Sequence, residues 1–86
     1  MRILWEDRAW DDYLYWQTQD KKTLKRVNML VKDIGRNSFE GLGKPELLAG
    51  SLTGYWSRRI DETNRIVYCE EDGVIRIISC RGHYEM

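Results

Sequence analysis

The chain is poor in several things at once. Its 86 residues hold one histidine, one proline, one phenylalanine and two cysteines, and its formal charge is zero. Cys69 and Cys80 form neither a CxxC pair nor a Cys/His ligand spacing, so they build no zinc site and are expected to be buried thiols. The 14 basic residues are matched by 14 acidic ones, which excludes a polybasic, histone-like binder. No apolar run is long enough to span a membrane and there is no signal-peptide pattern, which points to the cytoplasm. No repeat or low-complexity segment is visible. The length suits one domain, residues 1–86, with a core modest enough that a partner or a second copy would help its stability.

Aromatic residues and unevenly placed charges are what the sequence does have. Four Trp and five Tyr imply an aromatic-rich core. The acids Glu6, Asp7, Asp11 and Asp12 lie early. The bases Lys21, Lys22, Lys25, Arg26, Lys32 and Arg36 follow, and Arg58, Arg59, Arg65, Arg76 and Arg81 form a second group. "RILWE" reads as a short strand. A helix capped by Glu6 or Asp7 runs to about Asp20, with Ala9, Trp10, Tyr13, Leu14 and Trp16 on its apolar side. "DKKTLKRVNMLVKDIGRN" reads as a second helix with a stripe of Leu24, Val27, Leu30, Val31 and Ile34, ending at Gly35. "SFEGLGKPELL" is a Gly-rich connection in which Pro45 biases Lys44 toward an extended shape. Strands follow at Leu47–Leu48, "YWSRRI", "RIVYCE" and "VIRIIS". The resulting fold class is α/β (α+β): two N-terminal helices packed on one face of a small, mostly antiparallel sheet.

The turn "EDG" sets the register of the last hairpin. A three-residue loop pairs Glu70 with Val74, Cys69 with Ile75, Val67 with Ile77 and Arg65 with Ser79. Arg65 then shares a face with Ser79, Arg81 and, if the strand continues, His83, while the two cysteines point to opposite faces. A two-residue turn at Asp72-Gly73 reverses that parity.

Four side chains stand out chemically, and each has a plain alternative. His83 is either an exposed residue on a fraying tail or a general acid or base with a pKa suited to neutral pH. Tyr84 beside it is a half-packed aromatic or a ring that stacks on a base. Glu46 is a solvated acid or a general base aimed by the stiff Pro45. Arg65 pairs with Asp61 or Glu62, or its planar fork holds a phosphate. Carboxylate, histidine and arginine together are the parts for RNA cleavage through the 2′-hydroxyl, which requires no metal or other cofactor. The basic run of the second helix is a solvated face or a phosphate-backbone contact.

The order of "WDDYLYWQTQDKKTLKRVN", "FEGLGKPELL", "GYWSRRIDETNRIVY" and the closing "HY" resembles the YoeB-type toxins of the RelE superfamily, from about Trp5 to Tyr84. The resemblance implies a ribosome-dependent messenger-RNA endonuclease, the toxin half of a type II toxin–antitoxin pair, with a microbial-ribonuclease-like fold. On the matching residues it implies Glu46 as general base, His83 as general acid, Arg65 as transition-state stabiliser and Tyr84 as an RNA-positioning ring. It further implies phosphate support from Arg59. The implied partners are a YefM-like antitoxin, the ribosome with its mRNA, and a second copy in a homodimer; no membrane is implied. Three places depart from the family pattern. Leu47 and Ala49 stand where a second proline and a lysine are common, which leaves Lys44 as the nearby cation. Gly82 replaces a bulkier residue before His83. Glu85 and Met86 extend past the tyrosine. Two competing readings are a topoisomerase-poisoning relative of the ParE type and a form that retains antitoxin binding alone.

Overall fold

The computed structural model describes residues 1–83; the expected role of Tyr84 falls outside the described residues. The elements are β1 (Arg2–Trp5), α1 (Asp7–Gln19), α2 (Lys21–Arg36), β2 (Glu46–Leu47), a 3-10 turn (Gly50–Leu52), β3 (Trp56–Arg59), β4 (Arg65–Glu71) and β5 (Val74–Ser79). The five strands form one sheet in the order β1-β5-β4-β3-β2. β1 runs parallel to β5 and the other pairs are antiparallel. Both helices lie on one face, as the sequence pattern predicts.

Asp20 alone separates the helices. Its carboxylate accepts the Lys22 and Thr23 amides and so caps α2. Tyr13 donates its hydroxyl to Asn28 at 2.7 Å, and these residues lie nearly equidistant from Asp20, so α2 doubles back along α1. The α2 stripe is as predicted: Val27, Leu30 and Ile34 are fully buried, with Leu24 and Val31 packed against the core. The helix passes through Gly35 and stops at Asn37, whose side chain accepts the Phe39 and Glu40 amides. On α1 the expected stripe is corrected. Ala9 and Trp16 are buried, Trp10 and Leu14 are exposed, and the buried place between them belongs to Asp12.

Tyr68, Ile66, Ile75, Ile77, Ile60 and Cys80 meet the helices from the sheet. The last hairpin takes the two-residue alternative, which corrects the three-residue register. Asp72 and Gly73 both have positive φ, at 51° and 77°, and make a two-residue turn that pairs Glu71 with Val74 and Cys69 with Arg76. Positive φ at both central residues is the geometry that matches strand twist, and glycine meets it without strain. A bulge at Val67/Tyr68 then shifts the pairing by one, so that Val67 faces Ser79. The tight turn reverses the expected parity and the bulge restores it. Arg65 therefore keeps its place on the Ser79 side, with different neighbours.

Both thiols are free and buried. Burial, reinforced by the Asp12 carboxylate, pushes the Cys80 thiol up to about 12, and burial raises Cys69 as well. Thiolate is the reactive form, so neither should react quickly with Ellman's reagent in the folded protein, and both should react in denaturant. A fast native thiol in a stopped-flow titration would contradict this placement.

Candidate active site

The face of the sheet away from the helices gathers most of the predicted site. Glu46 opens β2 and pairs with Ser57 of β3, which pairs with Val67 of β4. Residues in register share a face, so Glu46, Ser57 and Val67 form one row. Arg59 pairs with Arg65 in the next row on that face. Strand geometry puts the Cα atoms of Glu46 and Arg65 about 12 Å apart. Glu46, Lys44 and Arg59 are exposed and Arg65 is half-buried. Two arginines directly opposite each other repel and destabilise a sheet unless an anion sits between them.

Arg65 is held by the turn that precedes it. Its Nη1 donates to the carbonyls of Asp61 and Asn64, at 2.8 and 3.0 Å, rather than to a carboxylate. That turn is itself tied by the Asp61 carboxylate, which accepts the Thr63 and Asn64 amides and the Asn64 side chain. Burial raises the Asp61 carboxyl, but these bonds, led by the Asn64 side chain, outweigh it and hold the group below the usual range.

The chain's end is clamped rather than frayed up to Gly82. Arg65 donates its amide to Gly82 O at 3.0 Å, and Gly82 donates its own to Asn64 Oδ1 at 2.7 Å. α1 supplies the other side of the clamp. Asp12 accepts the Cys80 amide at 3.0 Å and Trp16 donates its indole N–H to Cys80 O at 2.8 Å. The Arg81 guanidinium lies 3.6 Å over the Tyr15 ring. His83 follows immediately and is exposed. Replacing Asp12 by alanine should cost about 1–3 kcal/mol, because the Cys80 amide loses its buried acceptor. Urea unfolding reads this directly; a loss under about 0.5 kcal/mol would show that the bond carries nothing.

The structure also shows three residues that the sequence reading did not single out: Asp12, Asp33 and Arg58. Arg58 is fully buried and ion-paired to Asp33 at 2.6 Å. The alternation Trp56, Arg58, Ile60 marks it, since a residue between two core-facing apolar neighbours shares their face. Asp12 carries the matching helical signal, lying on the stripe of Ala9, Tyr13 and Trp16. Lys44 is another correction. It is not extended before Pro45 but left-handed, at φ 53°. The tight linkage of Gly43 O to the Arg59 amide, at 2.6 Å, fixes the chain path there.

Residues 5–84 match the family described as YoeB-like toxin of bacterial type II toxin-antitoxin system. The chain belongs to that family. It is 51% identical to Toxin YoeB of Escherichia coli (strain K12) over 84 residues, which cover 98% of this chain and 100% of that protein. The fold is similar to a YoeB/ParE toxin from Agrobacterium tumefaciens, with a TM-score of 0.93 and 43% identity over 98% of this chain and 100% of that one. It is also similar to Staphylococcus aureus YoeB in a heterotetrameric YoeB–YefM complex, with a TM-score of 0.89 and 48% identity over 98% of both chains. A structure of a YoeB dimer from Staphylococcus aureus is matched at TM-score 0.90 and 48% identity over 98% of both chains. The chain is thus a type II toxin. Among its described residues, no helix is long and apolar enough to cross a membrane.

Proposed function

We propose that this toxin is an endoribonuclease that cuts messenger RNA in the ribosomal A site. The observation that carries the reading is the shared sheet face: Glu46 lies one row from the paired Arg59 and Arg65, and the clamped arm bonds to the start of β4 at Gly82, one residue before His83. Glu46 removes the proton from a 2′-hydroxyl. The 2′-oxygen attacks the adjacent phosphorus and the bond to the 5′-oxygen breaks, leaving a 2′,3′-cyclic phosphate. His83 protonates the departing 5′-oxygen. Arg65 and Arg59 face the phosphate, where the charge of the transition state develops. Tyr84 stacks on or positions the RNA, and Lys44 is the cation nearest Glu46 in sequence. The residues invoked need no cofactor for these steps. The basic residues of α2 contact ribosomal RNA through its phosphates.

The partners in this reading are the ribosome with its mRNA, a YefM-like antitoxin and a second copy of the chain, and the compartment is the cytoplasm. The S. aureus complex and dimer support the antitoxin and the homodimer. Balanced charge gives the protein little grip on free RNA by itself. Incubation of the purified, antitoxin-free protein with one message, with and without programmed ribosomes, tests this. Cuts at the A-site codon are expected with ribosomes and little cutting without them at physiological salt. Equal cutting in both would contradict ribosome dependence, and no cutting in either would remove the nuclease reading.

A further inference from the structure

We propose that Arg58, which lies wholly inside the protein, is a positioning residue for Glu46. The inference rests on the nuclease reading above. An arginine has five N–H donors in a fixed fork. Here all five are used: Nε donates to Tyr68 Oη at 3.1 Å, and Nη1 donates to Asp33 Oδ2 at 2.6 Å and Leu42 O at 3.2 Å. Nη2 donates to Asn37 O at 2.5 Å and Glu40 O at 3.0 Å. Three of those acceptors are carbonyls of the loop that leads to Glu46. Asp33 completes the grip, because Oδ2 also accepts the Leu42 amide at 2.9 Å. Leu42 is therefore held at both its N–H and its C=O.

The next links run to the carboxylate itself. Gly41 fits against Asp33 only because it lacks a Cβ, which would overlap the carboxylate. Gly43 O accepts the Arg59 amide. Lys44 then takes its left-handed conformation, and Glu46 starts a two-residue strand whose side chains are both exposed. Glu46 itself is exposed; its place is set by pairing to Ser57, by the buried Leu48 that follows and bonds to Tyr55 O, and by the loop that Arg58 and Arg59 of β3 hold. A left-handed non-glycine residue persists where its surroundings over-determine it, and such strain gathers at functional sites. A buried ion pair is a weak source of stability compared with apolar packing, so a fully satisfied arginine here is better explained by the loop path it dictates.

The test uses Arg58→Lys, which keeps a cation for Asp33 but cannot serve all the loop carbonyls. Tyr68→Phe, which keeps the ring but removes the Nε acceptor and the hydroxyl's own bond to Ser38 O in the same loop, serves if the lysine variant does not fold. Two readouts are needed. Amide exchange should quicken at least ~10-fold at Leu42 and Arg59, with Val27 and Leu30 unchanged. Single-turnover cutting of ribosome-bound message at saturating toxin should fall ~10–100-fold, with affinity for the ribosome unchanged. Added to Glu46→Gln, the same change should cost no more than about 2-fold further, because a group that acts through Glu46 has nothing left to position. Unchanged exchange at Leu42 and Arg59, or losses that multiply in the double variant, would overturn the role. A wild type that cuts nothing is the separate failure of the nuclease reading, and it removes this role with it.

Discussion

Glu46→Gln should slow cutting of ribosome-bound message by about 10²–10⁴-fold, the usual worth of a positioned general base. The change keeps the size, but removes the charge and the ability to take a proton and turns one acceptor oxygen into a donor. Glu46 is exposed on a strand whose only sheet partner among the described residues is β3, so stability should move by less than about 0.5 kcal/mol. Ribosome affinity should hold as well. Single-turnover rates at saturating toxin, beside a binding curve, separate the two effects. A variant that cuts at the wild-type rate would show that Glu46 is a solvated acid. One that fails to bind would make it a contact instead of a base.

Arg58→Met is expected to cost about 3–5 kcal/mol of folding stability, because the partly exposed Asp33 and three loop carbonyls lose their donor together. An 86-residue domain has a total of about 4–13 kcal/mol to lose. The variant should therefore lie near the edge of unfolding, with its urea midpoint far below the wild-type value. Asp33 adds a pH signature. The Leu42 amide, then the Arg58 guanidinium, hold its carboxyl below the ordinary range. A depressed carboxyl stabilises the fold above its unfolded pKa, and that contribution is lost as pH falls through the folded value. Wild-type stability should thus decline below about pH 4, and Asp33→Asn should lose part of that slope. Asp20, lowered chiefly by the Thr23 hydroxyl, and Asp61 act in the same direction. A midpoint for Arg58→Met within about 1 kcal/mol of wild type would contradict the account of the buried pair.

These two residues mark how far the sequence could be read. The α2 stripe and the sheet strands follow from local periodicity, which is why their existence was legible. Glu46, Arg65 and His83 were legible as chemistry, and the resemblance gave them roles. What local patterning could not give was the compensation between two irregularities. The positive-φ turn at Asp72-Gly73 reverses the hairpin's parity and the Val67/Tyr68 bulge restores it. A bulge has no strong sequence signal, so Arg65's neighbours were misplaced while its face was not. Asp12 and Arg58 escape local patterning for a different reason. Charged residues are presumed to face water, and each is buried because it satisfies backbone groups from a distant segment, Asp12 at Cys80 and Arg58 at residues 37–42. Lys44 shows the same override, since long-range hydrogen bonds defeat the local preference of a residue before proline.

The clamp on the terminal arm changes how the lone histidine is understood. Cys80, Arg81 and Gly82 are fixed from α1 on one side and from β4 and its preceding turn on the other. His83 thereby follows directly on an anchored backbone, which the proposed proton transfer to a defined oxygen requires.

The most direct test of the central claim compares wild type and His83→Gln on ribosomes programmed with a defined message, mapping the cuts and the chemistry of the upstream end. The account predicts A-site cuts that leave a 2′,3′-cyclic phosphate and a large loss of rate in the variant. Absence of any cut by folded, antitoxin-free wild type would contradict the nuclease reading, and equal rates for both proteins would contradict the role given to His83.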